Sequence, residues 1–167
     1  MGQHVSSYQR KKSMDNASYI SGFVDGEGSF LVSFQKRVKM STGIEARPSF
    51  TISQHRRNKE ILFQICEYFG CGGIRFNKSD QTYKYEVRSL KELCQIIIPH
   101  FEKDSLKTSK ANDFEKFKII CGLMKNNKHL SAGGIKEIIE LAYSMNNFGA
   151  RRYDKALLLK IIDKMKV

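Results

Sequence analysis

The chain has 167 residues, enough for one ordinary domain with a hydrophobic core and too few for two comfortable ones. Lys and Arg total 29 against 17 Asp and Glu, a net charge of +12, while 41% of residues are apolar; this is a folded basic protein whose first expected partner is a polyanion such as nucleic acid. No stretch approaches the ~20 apolar residues that span a bilayer, and the first residues lack the apolar core of a secretory signal, so a soluble, intracellular protein with no membrane partner is expected.

Residues 1–14 are polar and basic without periodicity and read as an arm preceding a single domain over 15–167. Asp15 or Asn16 can cap a first helix running through "YISGFVDGEG" to about Gly26, with Gly28 as its stop. From Ser29 the period changes to two: Phe30, Val32 and Phe34 share one face, and Leu31, Ser33, Gln35, Arg37 and Lys39 the other. After a turn in "KMSTGIEARP", the alternation returns with Phe50 and Ile52 inward and Arg47, Ser49, Thr51 and Ser53 outward. A helix with Ile61, Leu62, Ile65 and Phe69 on one side ends at Gly70.

A second hairpin turns at residues 78–81, with Tyr83, Tyr85 and Val87 inward and Arg75, Asn77, Thr82, Lys84, Glu86 and Arg88 outward. "SLKELCQIIIPHF" is helical until Pro99 interrupts it, and three more helices follow, the last two within about 131–165. Their stripes, Ile135, Ile138, Ile139 and Ala142, then Leu157, Leu158, Ile161 and Ile162, read as packing surfaces. The order defines an α+β domain, αββαββα plus C-terminal helices, with a mainly antiparallel four-stranded sheet carrying helices on one face. Cys66, Cys71, Cys94 and Cys121 form no CxxC pair and read as reduced core thiols; the four histidines have no metal-ligand spacing.

An antiparallel sheet can bury one face and expose the other. Here the exposed face carries Arg, Lys, Gln, Asn, Ser and Thr, which contact phosphates and base edges, while the aromatic residues fall on the inner face. Duplex DNA is therefore favoured over stacked single strands.

The first helix ends in Asp25 and Glu27, where the helix carbonyls already concentrate negative charge. Ser18, Gly22 and Gly26 recur every four residues, a small-residue stripe that admits a close partner, either another helix of this chain or a twofold-related copy. Two copies would bring both Glu27 carboxylates and the adjoining carbonyls together as an all-oxygen site suited to Mg²⁺.

"ISGFVDGEG", residues 20–28, resembles the motif of LAGLIDADG homing endonucleases, and the likeness of element order extends over roughly residues 15–125. One motif copy in a short chain resembles the homodimeric members, which sit as a saddle on a long pseudopalindromic DNA site. The resemblance implies site-specific double-strand cleavage by divalent-metal-dependent hydrolysis, with Mg²⁺ as cofactor and Mn²⁺ or Ca²⁺ able to replace it for binding. By the same resemblance Glu27 binds metal with the Gly26 carbonyl as second ligand, Asp25 supports the motif's turn, and Gln54 positions water. Lys107 stabilises phosphate charge, and Lys110 contacts phosphate. Where some relatives carry Arg, this chain has Asn58, and either Lys59 or His55 is left to supply the basic group.

Specificity is assigned to Leu31, Ser33, Gln35, Arg37, Lys39, Arg47, Ser49, Thr51, Arg75, Asn77, Thr82, Lys84 and Glu86, and pairing to Ser18, Gly22 and Gly26. The resemblance further implies an intron-borne reading frame in a plastid or mitochondrion. The alternative is a noncatalytic intron-RNA maturase, or a DNA-binding regulator, on the same scaffold.

Overall fold

The computed structural model describes residues 16–146 and 150–165; the expected arm over 1–14 and the alternative cap Asp15 lie outside them. Helix α1 (Asn16–Glu27) buries Ile20, Ser21 and Val24 and passes into β1 (Gly28–Lys36) without a loop. Gly28 permits that junction sterically. A Cβ there would lie 2.6 Å from Val24 Cγ1 and 3.0 Å from the Val24 carbonyl oxygen.

Strand β1 pairs antiparallel with β2 (Ile44–His55), Phe30 opposite Phe50 and Gly28 opposite Ile52. β2 begins earlier than the alternation at Arg47 indicated, because Ile44 and Ala46 are also buried. β1 stops at Lys36, so Arg37 and Lys39 do not continue its outer face as expected; Arg37 N–H donates to the Gly43 carbonyl (2.8 Å) and closes the turn. Pro48, which has no N–H to give a neighbouring strand, lies beyond the end of the β2–β4 pairing.

Helix α2 (Lys59–Phe69) buries Leu62, Ile65 and Phe69 and ends at Gly70, whose φ of 62° only glycine adopts freely. Strands β3 (Gly73–Asn77) and β4 (Thr82–Val87) form the second hairpin, and the sheet order is β1-β2-β4-β3. The chain is then helical through α3 (Leu90–Glu92), a π-helical turn (Leu93–Ile97) and α4 (Ile98–Lys103). Pro99 therefore does not end the helix: the π turn loosens the ladder just where proline lacks an N–H and crowds the preceding carbonyls.

Helices α5 (Lys110–Lys125), α6 (Ala132–Tyr143) and α7 (Lys155–Lys164) complete the layer. Phe30 is the centre of the core, its ring 5.2–5.5 Å from those of Phe50, Phe101, Phe114 and Phe117. α6 buries its whole predicted stripe; α7 buries only Leu158 and Ile162, leaving Leu157 exposed and Ile161 half-buried. All four cysteines are free thiols. No described helix is long and apolar enough to cross a membrane.

Candidate functional site

The register that places Gly28 opposite Ile52 carries Gln54 alongside the end of α1. There Gln54 Nε2 donates to Glu27 Oε2 (2.9 Å), and Gln54 Oε1 accepts from Asn58 Nδ2 (3.4 Å). Glu27 is exposed, and its carboxylate is oriented by the amide without being enclosed. Of the three residues considered for the neighbouring position, Asn58 is the one that joins this chain of contacts. His55 Nδ1 accepts from Arg57 N–H (3.3 Å), and Lys59 lies 3.9 Å from Glu60 and over the Tyr83 ring.

Asp25 serves a loop 82 residues away. Its Oδ2 accepts from Lys107 N–H (2.7 Å), and its Oδ1 accepts from Thr108 N–H (3.2 Å) and Thr108 Oγ1 (2.9 Å). Burial pushes this carboxyl up, but the Lys107 and Thr108 donors, helped by the Lys110 charge, outweigh it and hold Asp25 below the usual carboxylate value. The support expected within its own turn is thus given to the loop bearing Lys107, whose side chain is exposed.

Lys110, expected to contact phosphate, reaches the end of α1. Its Nζ donates to the Val24 carbonyl (3.0 Å) in the last turn of α1. Burial lowers its pKa, opposed by the charges of Asp25, Glu27 and Asp113. This inward cation offsets the carbonyl end of α1 and its two acids; local spacing in the sequence offers no signal for it, because the contact spans 86 residues.

Ser18, Gly22 and Gly26 are exposed along one line of α1, and a Cβ at Gly22 or Gly26 would meet no atom within 4 Å. Within the described residues this stripe is not covered by another helix of the chain.

On the open sheet face Ser33, Arg75 and Asn77 are exposed, and Leu31, Gln35, Arg47, Ser49, Thr82 and Lys84 are half-buried. Two expected readers on this face are covered. Thr51, in the middle of the sheet opposite Ser29 and Glu86, is buried. Glu86 lies beneath cations, its side chain 8% exposed. Asn77 Oδ1 accepts from Ser79 N–H (3.2 Å) and Oγ (2.9 Å), which ties that oxygen to the hairpin turn.

Glu27 and the neighbouring Gly26 carbonyl offer hard oxygen donors, the chemistry of Mg²⁺ or Ca²⁺ sites. No group of three or more His, Cys, Asp or Glu that could hold a metal occurs among the described residues. One copy therefore fits part of such a site, since these cations take six or more oxygens.

A helix that ends in an oriented carboxylate, set beside an open four-stranded sheet with a basic face, defines a scaffold of the LAGLIDADG kind. The chain belongs to the LAGLIDADG endonuclease family, whose profile matches residues 20–121. It is 39% identical over 132 residues to the probable intron-encoded endonuclease 2 of Neurospora crassa, covering 78% of this chain and 29% of that protein. An archaeal intron-encoded homing endonuclease solved in complex with DNA superposes with a TM-score of 0.83 at 34% identity, covering 90% of this chain and 96% of the other. The homing endonuclease I-SmaMI bound to cleaved DNA gives 0.79 at 30% identity, covering 90% of this chain and 48% of that one. The chain spans about a quarter to a half of the length of the curated relatives it matches.

Proposed function

We propose that this chain is a site-specific homing endonuclease that acts as a pair of copies and cuts both strands of a long pseudopalindromic DNA site by divalent-metal-dependent hydrolysis. The observation that carries the reading is the contact between Gln54 and Glu27 at the end of the motif helix. An exposed carboxylate that no cation covers would only repel phosphates in a binding module, whereas cleavage gives it a use. The DNA complex of the archaeal relative supports duplex DNA as the partner.

Glu27 and the Gly26 carbonyl would hold the cation, Mg²⁺ in the reaction and Mn²⁺ or Ca²⁺ as substitutes for binding. When bound, it supplies Lewis-acid stabilisation of the scissile phosphate and activation of water. Gln54 fixes one Glu27 oxygen and leaves the other open; it is itself held by Asn58, so its amide is placed before DNA arrives. Asp25 pins the Lys107 loop, giving the exposed ammonium a defined base from which to meet phosphate charge. The Ser18, Gly22 and Gly26 stripe is the pairing surface, through which a second α1 completes the oxygen donors. The match to about half of the I-SmaMI chain supports two copies.

Relatives described as lying in an ND4 intron and a cox1 intron support an intron-borne, organellar origin.

The test is incubation of the recombinant protein with Mg²⁺ and a library of duplexes spanning its intron-insertion region. Double-strand cuts are expected, lost in Glu27→Gln with binding retained, and slowed about 10²–10³-fold in Lys107→Ala. Tight binding to DNA or to intron RNA, with no cuts in any divalent metal, would overturn the reading in favour of a regulator or maturase.

A further inference from the structure

Each hairpin places one carboxylate among cations, Glu86 on the open sheet face and Glu45 where β2 leaves the turn. In the first, Glu45 Oε2 accepts from Arg37 Nε (2.8 Å) and Arg47 Nη2 (3.0 Å). In the second, Glu86 Oε2 pairs with Arg88 Nε (3.0 Å) and Arg75 Nη2, while its Oε1 lies 3.4 Å from Lys84 Nζ.

A carboxylate on a surface meant for phosphates is repelled by them unless it is covered. Glu86 is covered: its side chain is 8% exposed, whereas those of Arg75 and Arg88 are 62% and 63% exposed. Its strand neighbours are Thr51 on one side and Gly73 on the other. A group so covered by three cations is poorly placed to accept from a cytosine amino group, the base contact open to a free carboxylate.

The atoms used by the arginines matter more than the count of ion pairs. Arg37 Nε donates to Glu45, and Arg88 approaches Glu86 by its Nε side as an ion pair at 3.0 Å. A guanidinium has five N–H groups in a fixed fork, so a grip at Nε leaves the two terminal nitrogens together for another partner. That end-on pair matches guanine O6 and N7 in the major groove. An arginine already held loses less rotamer freedom on binding than one that must be ordered.

We propose that Glu86 and Glu45 are positioning residues that hold Arg88 and Arg37 ready to read guanine, which makes Arg88 a specificity-determining residue of this protein. The inference rests on the DNA-recognition part of the proposed function and adds to it which side chains read and which only hold. Because Glu86 is nearly covered, its loss can also touch stability, so melting temperature is read beside recognition.

The experiment selects binding sites from a randomised duplex pool with Ca²⁺ in place of Mg²⁺, using the full wild-type chain, Glu86→Gln and Arg88→Lys, with affinity for calf-thymus DNA and the melting temperature measured in parallel. The wild-type consensus should contain a guanine in each half-site at which both variants lose about tenfold discrimination. Glu86→Gln should bind calf-thymus DNA as tightly as wild type or more tightly, having lost a negative charge. That opposite movement of specificity and general affinity is one that misfolding would not produce.

A sharp wild-type consensus kept within twofold by Glu86→Gln, or by Arg88→Lys, overturns the proposal while leaving the endonuclease reading intact. An equal loss of affinity for target and calf-thymus DNA in Glu86→Gln also overturns it. A wild-type pool with no consensus overturns the DNA-recognition reading first, and this proposal with it.

Discussion

Asp25 and Glu27 sit two residues apart in one motif and do different work. Glu27 is held by one amide and left open to solvent, whereas Asp25 accepts three hydrogen bonds from a distant loop. Asn at position 25 offers one acceptor oxygen where Asp25 uses both, so Asp25→Asn should lower stability by about 1–3 kcal/mol and loosen the Lys107 loop. The pH dependence has a defined sign. Asp25 has a folded-state pKa below its unfolded value, so its contribution is complete above the unfolded pKa of about 4 and is lost as pH falls through the folded one. Thermal melts from neutral pH downward should show the gap between wild type and Asp25→Asn constant until about pH 4 and narrowing below it. A gap that persists unchanged into strong acid would remove Asp25 from this role. The motif named both acids, but the partner of Asp25 is a matter of which loop the fold brings to it, and no local pattern encodes a contact across 83 residues.

Helix α1 carries glycines of two kinds. Gly28 is required by the helix-to-strand junction, since a Cβ would collide with Val24. Gly22 has open space around it, so its small size serves nothing within the copy. The substitutions should therefore part: Gly28→Ala destabilises the chain by about 1–3 kcal/mol through overpacking. Gly22→Leu leaves the protomer folded, because a helix prefers Leu to Gly, but abolishes the pair. Circular dichroism and light scattering together read both effects. A Gly22→Leu protein that still forms dimers of normal affinity would show that the stripe is not the pairing surface. Element boundaries at Pro99 and Arg37 moved for a related reason. A π turn absorbed the proline, and a cross-hairpin hydrogen bond ended β1, and both depend on neighbours that periodicity does not see.

Across the whole molecule, the helices and the sheet's inner face enclose the aromatic core, while basic side chains gather on the opposite face. With a net charge of +12, much of the proposed DNA affinity should come from phosphate neutralisation. Target binding is expected to weaken about 10³–10⁵-fold between 50 and 200 mM salt if the pair makes the usual 6–10 phosphate contacts. Titrations that are flat over that range would mean that the basic face is not where DNA lies. C-terminal cations do not simply enlarge this face. Arg151 donates to the Ala142 and Met145 carbonyls, and Lys155 pairs with Glu140, so both serve packing.

The sequence by itself determined the class of fold, the strand faces, and the helix stops at Gly28 and Gly70. Each of these follows from periodicity, glycine geometry or a motif, which are properties of neighbouring residues. Only the tertiary structure decided that Lys110 turns inward to the end of α1, that Asp25 holds the Lys107 loop, and that Glu86 lies beneath the cations it was expected to join in reading bases. Those roles depend on burial and on charges brought together from distant segments, and the energy of a charged side chain is set by what surrounds it in space rather than by what adjoins it in the chain.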